Sequence, residues 1–110
     1  MVSLREASSA KIYHTDPRVL LRRLCKRFRR VGPVNLFLEP LADHVRGLCN
    51  YDGHAFEIHL DSTMPFYCLI ETLVHEFAHA LCWQWYGNGT NHGPQWGVAY
   101  SEVYRAVYGP

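Results

Sequence analysis

The sequence predicts an α+β domain. Three observations lead there. A long apolar stretch between Pro65 and Tyr86 has the length of a buried helix. Two further segments, one near each end of the chain, show helical spacing of apolar residues. Between the first of these and the long stretch lie three short segments of strand type. The expected order is an N-terminal helix, a small three-stranded sheet, a central helix and a C-terminal helix. The 110 residues suit one domain, spanning 1–110.

The first helix opens at Thr15-Asp16-Pro17, a capping side chain followed by proline in the first turn. Val19, Leu20, Leu24 and Phe28 follow at helical spacing, and Gly32-Pro33 is the expected stop. The residues before it, through about Lys11, read as a loose arm. Val34 to Pro40 reads as a strand. Val45 to Tyr51 and His54 to Leu60, separated by Asp52-Gly53, read as a hairpin. Asp61, Ser62 and Thr63 offer caps for the central helix, with Pro65 in its first turn and Gly87 at its end. A glycine-rich loop, 87–93, leads to the last helix from Pro94, with Trp96, Ala99, Tyr100, Val103 and Val107 at core spacing.

Composition narrows the class. The chain is 48% hydrophobic and 19% charged, as globular domains are. No apolar run approaches the roughly 18 residues of a membrane span, and the first residues lack the apolar core of a signal peptide. The expectation is an intracellular, cytoplasmic monomer (nuclear in a eukaryote). Cys25, Cys49, Cys68 and Cys82 form no CxxC pair, which argues against a zinc ribbon or a thioredoxin-type site and for free buried thiols. Charge is uneven. Arg18 to Arg30 holds seven of the eleven basic residues and no acid, whereas the rest holds four basic and ten acidic residues, a net −6. Arg22, Arg23, Lys26 and Arg29 fall opposite the apolar side of the first helix. They are either a solvated face that keeps the chain soluble or a contact for nucleic-acid phosphates.

The chemistry concentrates in His75-Glu76-Phe77-Ala78-His79. A helix advances about 100° per residue, so His75 and His79 lie one turn apart on one face and both imidazoles can reach one metal ion. Glu76 projects beside that ion, where it can take a proton from a bound water. Shuffling this composition produces HExxH with a probability of roughly 0.02, so the pattern alone is only suggestive. The setting strengthens it, because Leu69, Ile70, Leu73, Val74, Phe77, Ala78 and Leu81 make the helix apolar on nearly every side. Ionisable groups buried there are costly unless something balances them, and a divalent metal does so. For a third ligand the residues offer His92, thirteen positions past His79, or Glu102 on the last helix. Cys82, one turn beyond His79, reads better as a core thiol.

The stretch Glu57 to Trp96 resembles the SprT-like metalloproteases, the group that includes the Spartan proteases. The resemblance lies in a strand ending in a small polar residue (Ile58 to Ser62), a helix reading ETLVHEFAHA (Glu71 to Ala80) and the segment His92-Gly93-Pro94-Gln95-Trp96. It implies a compact zincin-like core, one Zn2+ per chain held by His75, His79 and His92, and Glu76 as catalytic acid–base. The implied activity is zinc-dependent peptide hydrolysis, with a protein or peptide as substrate. The group's action on DNA-bound proteins adds weight to a non-specific DNA contact by the basic helix. Many relatives add a C-terminal zinc ribbon, and this sequence reads as the minimal core without it. The substrate is expected to lie extended along an edge strand, with His54 to Leu60 as the candidate strand and His54 or His59 as a contact. A tyrosine could hold the oxyanion, and seven tyrosines leave that choice open. Two other classes remain. One is a zinc-bound, non-catalytic binding module, against which the intact Glu76 argues. The other is a nucleic-acid-binding module built on helix 18–30, with a structural metal.

Overall fold

The computed structural model describes residues 14–30, 32–86 and 92–109, apart from the side chains of 84–86. The expected arm through Lys11 and the helix stop at Gly87 lie outside the described residues. Among those described, the chain forms α1 (Pro17–Arg27), β1 (Val34–Glu39), β2 (Gly47–Tyr51), β3 (Phe56–Asp61), α2 (Phe66–Tyr86) and α3 (Pro94–Tyr108). The architecture is α+β, in the element order that the sequence predicts.

Local chemistry sets the boundaries. Asp16 caps α1 by accepting from the Arg18 amide at 2.8 Å, and Pro17 occupies the first turn. The helix ends at Arg27, five residues before Gly32. Phe28 leaves in extended geometry, and its ring lies 6.2 Å from that of Phe77. The Arg30 guanidinium donates to the Cys25 and Phe28 carbonyls at 2.9 and 3.0 Å, satisfying groups that the ended helix leaves open. A side chain beyond the helix, rather than the glycine-proline pair, thus closes it. In the hairpin, Asp52 Oδ1 accepts from the amides of His54 and Ala55, each at 2.8 Å, while Gly53 adopts φ 96°. The turn occupies 52–55, so β3 starts at Phe56 rather than His54, while β2 ends at Tyr51 as expected but starts at Gly47 rather than Val45. Asp61 does not cap α2 directly. Its carboxylate accepts from the Thr63 amide at 3.1 Å and hydroxyl at 2.8 Å, fixing the turn between strand and helix. Pro65 sits just outside the helix, and its carbonyl accepts the Leu69 amide at 3.1 Å.

The sheet order is β1-β3-β2, with β1 parallel and β2 antiparallel to β3. This corrects the expected position of His54 to Leu60. β3 is the central strand, with both edges already paired, and cannot accept an extended peptide. The edges belong to β1 and β2. Strand parity sends Phe56, Ile58 and Leu60, each fully buried, toward the helices. His59 points to the other face, where it stacks on Phe37 (4.8 Å) and meets Glu39 at 2.9 Å.

One core joins these layers. Leu20, Leu21 and Leu24 from α1 meet Ile70, Leu73, Val74 and Phe77 from α2, and Ala99, Val103 and Val107 close it from α3. Each large apolar side chain buried here contributes roughly 1.5–3 kcal/mol. α2 runs through the middle, packed against α1, α3, β2 and β3. Its all-round apolarity is therefore the signature of a central helix. No helix among the described residues is long and apolar enough to cross a membrane.

Candidate metal centre

His75, Glu76 and His79 lie near the middle of α2, and His92 lies two residues before α3 begins. Gly93-Pro94 starts α3 without a side-chain cap, and the start of this helix carries His92 back over α2. The Nε2 atoms of His79 and His92 are 3.0 Å apart, and those of His92 and His75 are 3.2 Å apart. All three nitrogens fall within 4.8 Å of one another. A tetrahedral zinc with nitrogens at 2.0–2.1 Å would separate two of them by about 3.3 Å. The three imidazoles thus fit such an ion. His79 is buried, His75 half-buried and His92 exposed, so the cluster opens on one side only. Burial, and secondarily the neighbouring His92, holds His75 below its ordinary value and favours the neutral ring that coordinates metal.

Trp96 forms a wall of this cluster. Its ring centroid lies 5.0 Å from His75, 5.6 Å from His79 and 4.8 Å from His92. The sequence marks Trp96 as core spacing on the last helix and as part of the HGPQW segment, but not as a neighbour of all three rings.

Glu76 is 6% exposed, and burial raises its carboxyl to about 7. It borders a groove of about 550 Å³. His44 to Leu48 line one side of that groove, and Glu71, Thr72, His75 and Tyr100 line the rest. Its strand wall is β2, an edge strand, and not His54 to Leu60. Neither His54 nor His59 borders the groove: His54 is exposed at the hairpin turn, and His59 is on the far sheet face. Among the tyrosines whose side chains are described, Tyr100 is the one that does. Burial raises Tyr100 above its ordinary value, which keeps its hydroxyl protonated as a donor.

β2 passes very close to α2 at this point. A Cβ on Gly47 would sit 2.6 Å from Thr72 Cγ2 and 3.2 Å from Glu76 Cγ. Nothing in the sequence singles out Gly47, because the requirement arises only when β2 crosses α2.

The remaining candidates fall elsewhere. Glu102 is exposed and borders a separate cavity with Arg27, Phe28 and Arg105. Among the described residues only His75, His79 and His92 cluster as metal ligands, so the Glu102 alternative has no geometric support. The Cys82 thiol is buried and donates to the His79 carbonyl. All four cysteines are free. Burial, with Glu76 and Cys82 nearby, pushes Cys49 to about 12, so that thiol stays protonated. Arg22, Arg23 and Lys26 are exposed on α1 and Arg29 is exposed just beyond its end, so the expected helical face reaches only to Arg27; none of the four lines the groove.

An α+β core whose central helix carries HExxH, with a third histidine folded onto the same point, is the arrangement of single-metal hydrolases of the zincin kind. The chain matches the model of the SprT-like family over residues 21–109 and belongs to that family, which is linked in general to metallopeptidase activity. No curated protein and no solved structure matches the chain at a comparable level.

Proposed function

We propose that the protein is a zinc-dependent endopeptidase, with His75, His79 and His92 as metal ligands and Glu76 as general base and acid. The observation that carries this reading is the convergence of three imidazole nitrogens beside a buried carboxylate that opens on a groove. A zinc ion bound there supplies Lewis-acid chemistry, making water more acidic and polarising a carbonyl.

The chain's own residues do the rest. Burial raises the proton affinity of Glu76 toward neutrality, where a base can accept a proton and later release it. It takes the proton of the attacking water and returns one to the leaving amine nitrogen. The exposed edge of β2 offers backbone groups to an extended peptide, which would place the scissile bond over Glu76 and the histidines. Tyr100, the tyrosine on the groove, is assigned as hydrogen-bond donor to the developing oxyanion. Trp96 excludes water from one side of the imidazole cluster. The exposed arginines of α1 are proposed as a sequence-indifferent contact for DNA phosphates, which would bring DNA-associated proteins to the groove.

The test is hydrolysis of an unstructured protein such as casein. Turnover should stop when a chelator removes the metal and return with one equivalent of zinc per chain. Casein left uncut by the zinc-loaded protein overturns the reading.

A further inference from the structure

A second, smaller cavity of about 140 Å³ adjoins the groove, with Glu71 and Tyr100 bordering both. Val74 completes its α2 wall, and Tyr104 and Tyr108 extend its α3 wall. The tyrosines follow each other at four-residue spacing, so their rings form a row along one face of α3. Tyr100 stacks on Trp96 at 4.9 Å, and the next two ring separations are 5.9 and 4.6 Å. The row therefore runs from the histidine cluster along the slot. A cavity of about 150 Å³ holds a benzene-sized molecule, so this slot takes one side chain and no more.

Its chemistry is specific. The aromatic row and Val74 offer an apolar channel for a methylene stem. Aromatic faces attract a cation lying over them within about 6 Å. Glu71 places a carboxyl group at the junction with the groove, and among the described residues it forms no ion pair or hydrogen bond. Its field reaches Tyr100, which it helps to keep protonated. Arg46, the residue before β2, borders the groove but not the slot, whereas Glu71 borders both.

We propose that this slot is the subsite for a lysine or arginine side chain of the substrate, with Glu71 supplying the negative charge at its mouth and the Tyr104 and Tyr108 rings flanking the side chain within. The proposal rests on the peptidase reading of the groove and adds the class of side chain that it selects. An ion pair at an exposed carboxylate and a cation–π contact together favour lysine over an uncharged side chain of equal length by about tenfold.

The test uses fluorogenic octapeptides of Gly, Ser and Ala in which a single Lys, Arg, norleucine or Glu is moved through each position. With the zinc-loaded protein, one position should show about a tenfold higher kcat/KM for Lys and Arg than for norleucine. Glu71→Gln should bring that ratio close to one, and Glu71→Lys should turn the preference toward Glu. A reversal of this kind cannot come from general damage to the groove. Equal turnover of Lys and norleucine peptides at every position, or a Lys preference that survives in Glu71→Gln, overturns the proposal. The same peptides are also titrated by anisotropy against Glu76→Gln and against the Glu71→Gln/Glu76→Gln double variant. If nothing is cut but Glu76→Gln still binds Lys peptides about tenfold tighter than norleucine peptides, and the double variant does not, the slot stands and the peptidase reading falls. Equal binding refutes the slot.

Discussion

Replacing Gly47 with alanine tests whether β2 is held against α2 beside Glu76, the proposed general base. The added methyl carbon would lie 2.6 Å from Thr72 Cγ2, 3.2 Å from Glu76 Cγ and 3.2 Å from the His59 carbonyl oxygen. Carbon atoms in contact settle at about 3.5–4.0 Å, so the strand and helix must separate by about 1 Å unless Thr72 turns away. A β-branched side chain in a helix has little freedom to turn. Overpacking of this kind costs about 1–3 kcal/mol. The functional cost should be larger in proportion, because a catalytic group misplaced by about 1 Å loses on the order of a hundredfold in rate. The assay pairs thermal denaturation with kcat/KM on a quenched-fluorescence peptide. Gly47→Ala should lower Tm by several degrees and turnover by tens of fold or more, with zinc affinity changed only slightly. Thr72→Ser removes the methyl at 2.6 Å and should restore much of both losses in the double variant. A Gly47→Ala protein as stable and active as the parent, or a double variant no better than the single, would refute the steric argument.

Three further outcomes are expected. His92→Ala should weaken zinc binding strongly and Glu102→Ala should not, in competition with a chromogenic chelator; elemental analysis of the parent should give one zinc per chain. In the metal-free protein Glu76 has a folded value of about 7 against 4.5, so the native state keeps a proton that the unfolded chain has lost, and stability should fall by up to about 3 kcal/mol as pH rises through that window. His75, held below 6.5, acts in the opposite direction below that pH; the Glu76 share is therefore read as the difference between parent and Glu76→Gln in urea denaturation, and identical pH profiles would contradict it. Serine at Arg22, Arg23, Lys26 and Arg29 should abolish salt-dependent binding of a labelled oligonucleotide by fluorescence anisotropy and leave zinc in place; binding that persists would remove α1 as the contact.

The features legible in the sequence are those set by local spacing. The one-turn offset of His75 and His79 follows from helix geometry, and the all-round apolar pattern from Leu69 to Leu81 marks α2 as the central helix. The Asp52-Gly53 turn fixes the pairing of β2 with β3. What local spacing does not reveal is the side of that hairpin on which β1 adds. Its parallel pairing with β3 makes β3 central and leaves β2 as the free edge on the groove. One clue was present: β3 sends Phe56, Ile58 and Leu60 inward, whereas β2 sends Gly47, Cys49 and Tyr51. The strand with the larger inward residues takes the more buried place. Gly47 and the Trp96 wall depend on crossings between distant elements, and such contacts have no local signature; the Arg30 cap that ends α1 early is local, but it is made by a long side chain folding back rather than by a residue type that marks helix ends.

The most direct test of the account is Glu76→Gln, which keeps the shape of the side chain and removes its ability to carry the proton. Zinc content and zinc affinity should match the parent, because His75, His79 and His92 are untouched, while turnover of casein or a fluorogenic peptide should fall by roughly 10²–10⁴-fold, the contribution expected of a general base. A Glu76→Gln protein that binds zinc normally and cleaves at the parent's rate would contradict the assignment of Glu76 and the mechanism built on it.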